Sequence, residues 1–144
     1  MPDNPQKDVI FNAITVPLGD ELTWRWDDKL SMLLTEFSWE KKERILIVLR
    51  QLFSEEWSHK NIKKSPKAIK DELGELTKLT KEQLVFTRPA TVDTPAIALF
   101  WWPWGHGATY SIRIKILHAN YNDADLQQAQ TGPITKFFQR LTSR

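Results

Sequence analysis

Three histidines, several adjacent carboxylates, one lysine-rich stretch and one tryptophan cluster are the groups in this 144-residue chain from which chemistry could be built. His59, His106 and His118 are far apart in sequence, and cysteine is absent. A zinc site would therefore have to be assembled from imidazoles and carboxylates brought together by the fold. The carboxylate pairs include Asp27/Asp28, Glu55/Glu56 and Asp71/Glu72. Acid–base catalysis needs two carboxyls converging on one cleft, whereas sequence neighbours on a helix point to different sides and serve as solvated faces or caps. No phosphate loop, GxGxxG, GxSxG or HExxH pattern occurs, and five glycines leave little material for a phosphate cradle. The chain reads as non-catalytic, with no cofactor and no metal expected.

Two groupings remain. "HKNIKKSPKAIK" carries Lys60, Lys63, Lys64, Lys67 and Lys70 with no acidic residue between them. It is either a solvated linker and helix surface or a patch for anions and nucleic-acid phosphates. "ALFWWPWGHG", residues 98–107, places Trp101, Trp102 and Trp104 within four positions. Such density means either a buried sheet or an aromatic binding rim.

The composition suits a globular chain: 41% apolar, 26% charged, with a net charge of +2. The expected organisation is a flexible tail over residues 1–7 and one domain over 8–144. The polar opening "MPDNPQKDVIF" lacks the apolar stretch of a signal peptide, and "AIALFWWPW" is too short to span a bilayer. A soluble, cytoplasmic protein without a membrane partner is expected.

The elements that must position these groups follow from periodicity. β-branched and aromatic residues in 8–18 predict a strand that pairs with 21–26 as a hairpin. Asp27 or Asp28 is placed to cap a helix over 28–37, with Leu30, Leu33, Leu34 and Phe37 on one face. Residues 39–60 predict one long helix, apolar all round at Ile45–Leu49 and so buried on more than one side. Ser65 as cap, Pro66 in the first turn and Gly74 as stop bound a helix over 65–76. Strands follow at 84–88, 96–102 and 109–117, then helices over 124–130 and from Pro133. The last strand is the clearest: Tyr110, Ile112, Ile114 and Ile116 face one way, Ser111, Arg113 and Lys115 the other. The expected fold is α+β, a single domain with an antiparallel sheet of about four to five strands on about three to four helices.

The hairpin loop decides which tryptophans are buried. A five-residue loop, Gly105–Thr109, puts Trp102 opposite Ile112 and Phe100 opposite Ile114. A loop of His106 and Gly107 slips the register, so that Phe100 lies beside Arg113 and Trp102 and Trp104 share its face. The first register is favoured because it sends more aromatic area to the core. Pro103 cannot donate a ladder hydrogen bond and marks a strand end, which sets the tip at a rim.

The leading functional expectation is a protein partner bound through Trp101, Trp102, Trp104, His106, Arg113 and Lys115, as in an adaptor, regulator or toxin-neutralising protein. One alternative is nucleic-acid binding, by base stacking beside Arg113 and Lys115 or through residues 39–117, whose order resembles a winged-helix layout in outline. A second is an enzyme with a tryptophan-lined pocket. Any uncovered apolar strand would also serve homodimerisation.

Overall fold

The computed structural model describes residues 5–118, so the helices expected over 124–130 and from Pro133 lie outside the described residues. The chain runs α1 (Pro5–Leu18), β1 (Arg25–Asp27), β2 (Met32–Ser38), α2 (Lys42–Leu52), β3 (Glu55–Trp57), α3 (Lys67–Leu73), β4 (Leu84–Arg88), β5 (Ile97–Pro103) and β6 (Thr109–Ile116). Single 3-10 turns precede α2 at Trp39–Lys41, precede α3 at Ile62–Lys64 and follow α3 at Gly74–Thr77. The fold is α+β: six antiparallel strands in the order β1-β2-β6-β5-β4-β3, one more than the upper expectation.

Residues 8–18 are helical, not a strand, and α1 begins inside the expected tail. Phe11, Ile14 and Leu18 recur at i, i+3 and i+7 and are buried, while Val9, Asn12 and Val16 face outward. That helical stripe outweighs the strand propensity of the same residues. Pro17 sits in the last turn, and Gly19 leaves the helix at φ +103°. Arg44 of α2 donates to the Leu18 carbonyl at 2.8 Å and pairs with Glu21, tying the end of α1 to α2. A cation on the last carbonyls of a helix meets its negative pole.

Residues 32–38 form a strand where a helix was expected. Leu33, Leu34 and Phe37 fit a helical face, but they also fit a strand covered on both sides. Leu33 and Phe37 belong to the core beneath α1 and α2, and Met32 belongs to the core on the other face. Asp27 does cap, but it caps a turn: its Oδ1 accepts from the N–H groups of Lys29 at 2.9 Å and Leu30 at 3.2 Å. The long helix expected over 39–60 stops at Leu52, and β3 follows. Its apolar middle is not buried all round, since Ile45 and Leu49 point inward while Ile47 is 58% exposed. The winged-helix-like order is therefore not formed: β3 interrupts it, and residues 80–83 make a turn closed by Thr80 N–H donating to Gln83 Oε1 at 2.9 Å.

The sheet is buried on two sides. One face packs Leu99, Trp101, Ile112 and Ile114 against α1 and α2. The other packs Val85, Ala98 and Phe100 against Ile62, Ile69 and Leu73. Gly74 follows α3 at φ +52°, as the stop signal required, but Ser65 does not cap that helix; its hydroxyl donates to the Ile62 carbonyl at 2.7 Å. Among the described residues no helix is long and apolar enough to cross a membrane.

Candidate functional site

The β5–β6 register is the one the sequence analysis disfavoured. Phe100 pairs with Arg113, Trp101 with Ile112, Trp102 with Ser111 and Pro103 with Tyr110. The ladder ends where Trp104 N–H donates to the Thr109 carbonyl at 2.9 Å, and Gly107 N–H turns back to the Trp104 carbonyl at 2.9 Å. The loop is therefore Gly105–Ala108, with Gly107 at φ +78° supplying the left-handed residue. The burial argument failed because both sheet faces are covered. Either register buries aromatic area, so burial cannot choose between them. What decides is a loop of even length, which shares its register with the two-residue alternative.

This register separates the three tryptophans. Trp101 is 3% exposed, set against Phe37 at 5.6 Å and Tyr110 at 5.1 Å between ring centroids. It is a core residue and cannot belong to a binding rim. Trp102 takes the opposite face, half-buried, 5.3 Å from Phe100 and with the Arg113 guanidinium 5.1 Å from its ring. Trp104 is 44% exposed and lies 5.8 Å from His106, edge to face. His106 accepts the Ala108 N–H on Nδ1 at 3.0 Å, which leaves Nε2 as its outward donor.

Arg113 is held on two sides. Asp27 of β1 pairs with it at 3.2 Å across β2, and the two side chains are only 23% and 22% exposed. Its Nε is buried with no hydrogen-bond partner among the described residues, as is the neighbouring Ser111 hydroxyl. Arg113 therefore braces Trp102 and is not free to stack on a base. Lys115 is half-buried on the same face, opposite Ala98.

Trp39, expected at the start of a helix, joins this end of the sheet instead. Trp39 is 49% exposed, with Lys42 Nζ 5.8 Å from its ring centroid. Its N–H donates to the Ala108 carbonyl at 3.0 Å, at the end of the β2–β6 ladder. Trp39 and Trp104 thus sit on either side of the first residues of β6. The available signal was its place just after the strand-like "LLTEFS", at a strand end.

The basic patch is dispersed. Lys60, Lys63, Lys64 and Lys67 are exposed and Lys70 half-buried. Lys67 is engaged with Asp71 at 2.7 Å, and that hydrogen bond, with the carboxylate's charge behind it, raises the Lys67 pKa above the ordinary lysine value. Lys63 and Lys70 meet in a cavity that also holds His59 and Lys78. A separate groove of about 350 Å³ lies between α1 and β1, walled by Phe11, Trp24 and Trp26, and the Trp24 indole N–H there is buried without a partner. Among the described residues no cluster of histidines and carboxylates is placed to hold a metal.

No protein-family model, curated protein or solved structure matches the chain.

Proposed function

We propose that this chain is a non-catalytic, cytoplasmic interaction protein that binds a protein partner through the aromatic end of its sheet. Trp39 and Trp104 are the anchors, and His106, edge to face with Trp104, supplies a donor through Nε2. One observation carries the reading: the two exposed tryptophans of the described residues, at 49% and 44% exposure, both hydrogen-bond through their backbones to Ala108–Thr109. Large aromatic side chains fixed on rigid elements give contact area at little cost in conformational entropy, and tryptophan is enriched among residues that dominate binding energy.

The edges of the sheet support docking by side chains over strand addition. β1 and β3 are the two edge strands, each of three residues, which offer little backbone to pair with. With Lys42 over Trp39, the favoured partner surface presents an apolar side chain beside a carboxylate.

The test is partner capture in cells with the wild-type chain, a Trp39→Ala/Trp104→Ala variant and an Ile47→Ala control that removes exposed apolar area elsewhere. A protein retained by wild type and control and lost by the double variant supports the reading. If capture does not distinguish the three, the reading fails. Sedimentation of the purified chain separates a foreign partner from a second copy. Tryptophan fluorescence titrated with oligonucleotides at two salt concentrations separates it from nucleic acid, whose binding would fade steeply with salt.

A further inference from the structure

We infer that the cavity between the Ile62–Lys64 turn, α3 and Lys78–Leu79 is a binding site for the phosphate group of a small molecule. Its volume is about 300 Å³, and four cationic or cation-forming groups line it: His59, Lys63, Lys70 and Lys78. Among the described residues no acidic side chain lines it. Ile62 and Leu79 add apolar surface, and Thr77 completes the wall.

The arrangement is specific in three respects. First, the basic residues come from separate elements and line one cavity, whereas Lys60, Lys64 and Lys67 in the same basic stretch do not line it. Second, Lys70 is held in place: its Nζ donates to the Lys63 carbonyl at 2.9 Å, which leaves two further protons for a ligand. Third, the competing ion pair is weak. Lys78 binds Glu75 at 2.7 Å, but the two side chains are 75% and 84% exposed, and exposed pairs contribute little. Lys78 can therefore exchange that partner for an anion in the cavity.

Like charges gathered around one small cavity repel each other, and an anion relieves that repulsion. Ammonium groups act on phosphate as point charges, and several of them match a dianion better than a single carboxylate. The volume is at the small end of the range for ligand pockets, about 300–1,000 Å³. It admits a phosphate with a compact organic body against Ile62 and Leu79, and not a polymer. The site shares no residue with the aromatic end, so the two readings stand independently.

The experiment is calorimetric titration of the full chain with inorganic pyrophosphate and with adenosine monophosphate, alongside amide NMR spectra. Saturable one-site binding is expected, with shifts centred on His59, Ile62 and Leu79. Lys63→Gln/Lys78→Gln is expected to weaken it about tenfold or more, since hydrogen bonds to charged groups are lost. Lys60→Gln/Lys64→Gln makes the same change in net charge outside the cavity and is expected to alter it by less than about twofold. Circular dichroism confirms that each variant is folded. The inference is overturned by absence of saturation, by equal weakening in the two double variants, or by shifts centred elsewhere. It is also overturned if a single-stranded oligonucleotide binds more tightly than either probe with shifts spread across Lys60–Lys70, which would mark a nucleic-acid patch.

Discussion

Trp39 and Trp104 are joined through two consecutive residues of a third segment: Trp39 N–H donates to the Ala108 carbonyl at 3.0 Å and Trp104 N–H to the Thr109 carbonyl at 2.9 Å. They flank β6, so their backbones are separated by about two strand spacings, roughly 9.5 Å. This places the two exposed indoles at one end of the sheet, Trp104 following the face of Trp102 and Trp39 following that of Phe37. The pair is expected to dominate the solvent-accessible fluorescence, because Trp57 and Trp101 are buried and Trp24, Trp26 and Trp102 are half-buried. In Trp39→Phe/Trp104→Phe, the fraction quenched by iodide should fall by more than half. An unchanged quenchable fraction would place the exposed indoles elsewhere.

The register makes Trp101 and Trp104 energetic opposites. Trp101 is 3% exposed between Phe37 and Tyr110, so Trp101→Ala removes a packed core side chain. The expected loss is about 3–5 kcal/mol, including the cavity left behind. Trp104→Ala removes a side chain that is 44% exposed, and about 1–1.5 kcal/mol of burial is at stake. Urea unfolding of the two variants should show this order. Had β5 paired one residue out of step, Trp104→Ala would be the costlier change.

How much of this was legible in the sequence depended on whether the two faces of an element differ in polarity. β6 has one apolar face and one polar face, so its alternation of isoleucines with Ser111, Arg113 and Lys115 identified it without ambiguity. β2 is buried on both faces, and alternation vanishes there; "LLTEF" then matches a helix as well as a strand. α1 carried the converse signal. Its Phe11, Ile14 and Leu18 stripe was present, but β-branched residues at Val9, Ile10, Thr15 and Val16 obscured it. β3 had no local signal at all, since "EEW" is poor strand sequence, and its pairing with β4 is a tertiary effect. The same limit hid the candidate sites. Trp39 joins Trp104 only through β6, and Lys78 joins Lys63 and Lys70 only through the turn after α3. Contacts between distant segments leave no trace in spacing.

Asp27 does two jobs, and variants should separate them. It pairs with Arg113 at 3.2 Å, and its other oxygen closes the β1–β2 turn by accepting from Lys29 and Leu30. Both side chains are little exposed, so the pair is worth more than a surface ion pair and less than a fully buried one. Asp27→Ala loses the pair and the turn, an expected cost of about 2–3 kcal/mol. Arg113→Met keeps apolar contact with Trp102 and leaves the turn intact, so its cost should be about 1 kcal/mol. Asp27→Asn, which keeps an acceptor for the turn, should fall between them. Equal losses for Asp27→Ala and Arg113→Met would mean that the ion pair alone carries the effect.

The second face of the sheet depends on one buried polar contact. The Trp57 indole N–H donates to the Thr87 hydroxyl at 2.8 Å between β3 and β4, with both residues buried. β3 has three residues, so this side-chain bond is a large share of what fixes it to the sheet. Thr87→Val preserves shape and β-branching but leaves the indole N–H without an acceptor in an apolar setting. The expected loss is about 1–3 kcal/mol, the cost of a buried donor left unsatisfied. Thr87→Ser keeps the acceptor and gives up only a methyl group, so its loss should be about 1 kcal/mol. Hydrogen exchange at β3 reports the same difference locally. Faster exchange at Glu55–Trp57 in Thr87→Val than in Thr87→Ser would show that the bond holds the edge strand in place. Identical exchange in the two variants would assign β3 to backbone pairing and to the packing of Trp57 against Ile62 and Val85.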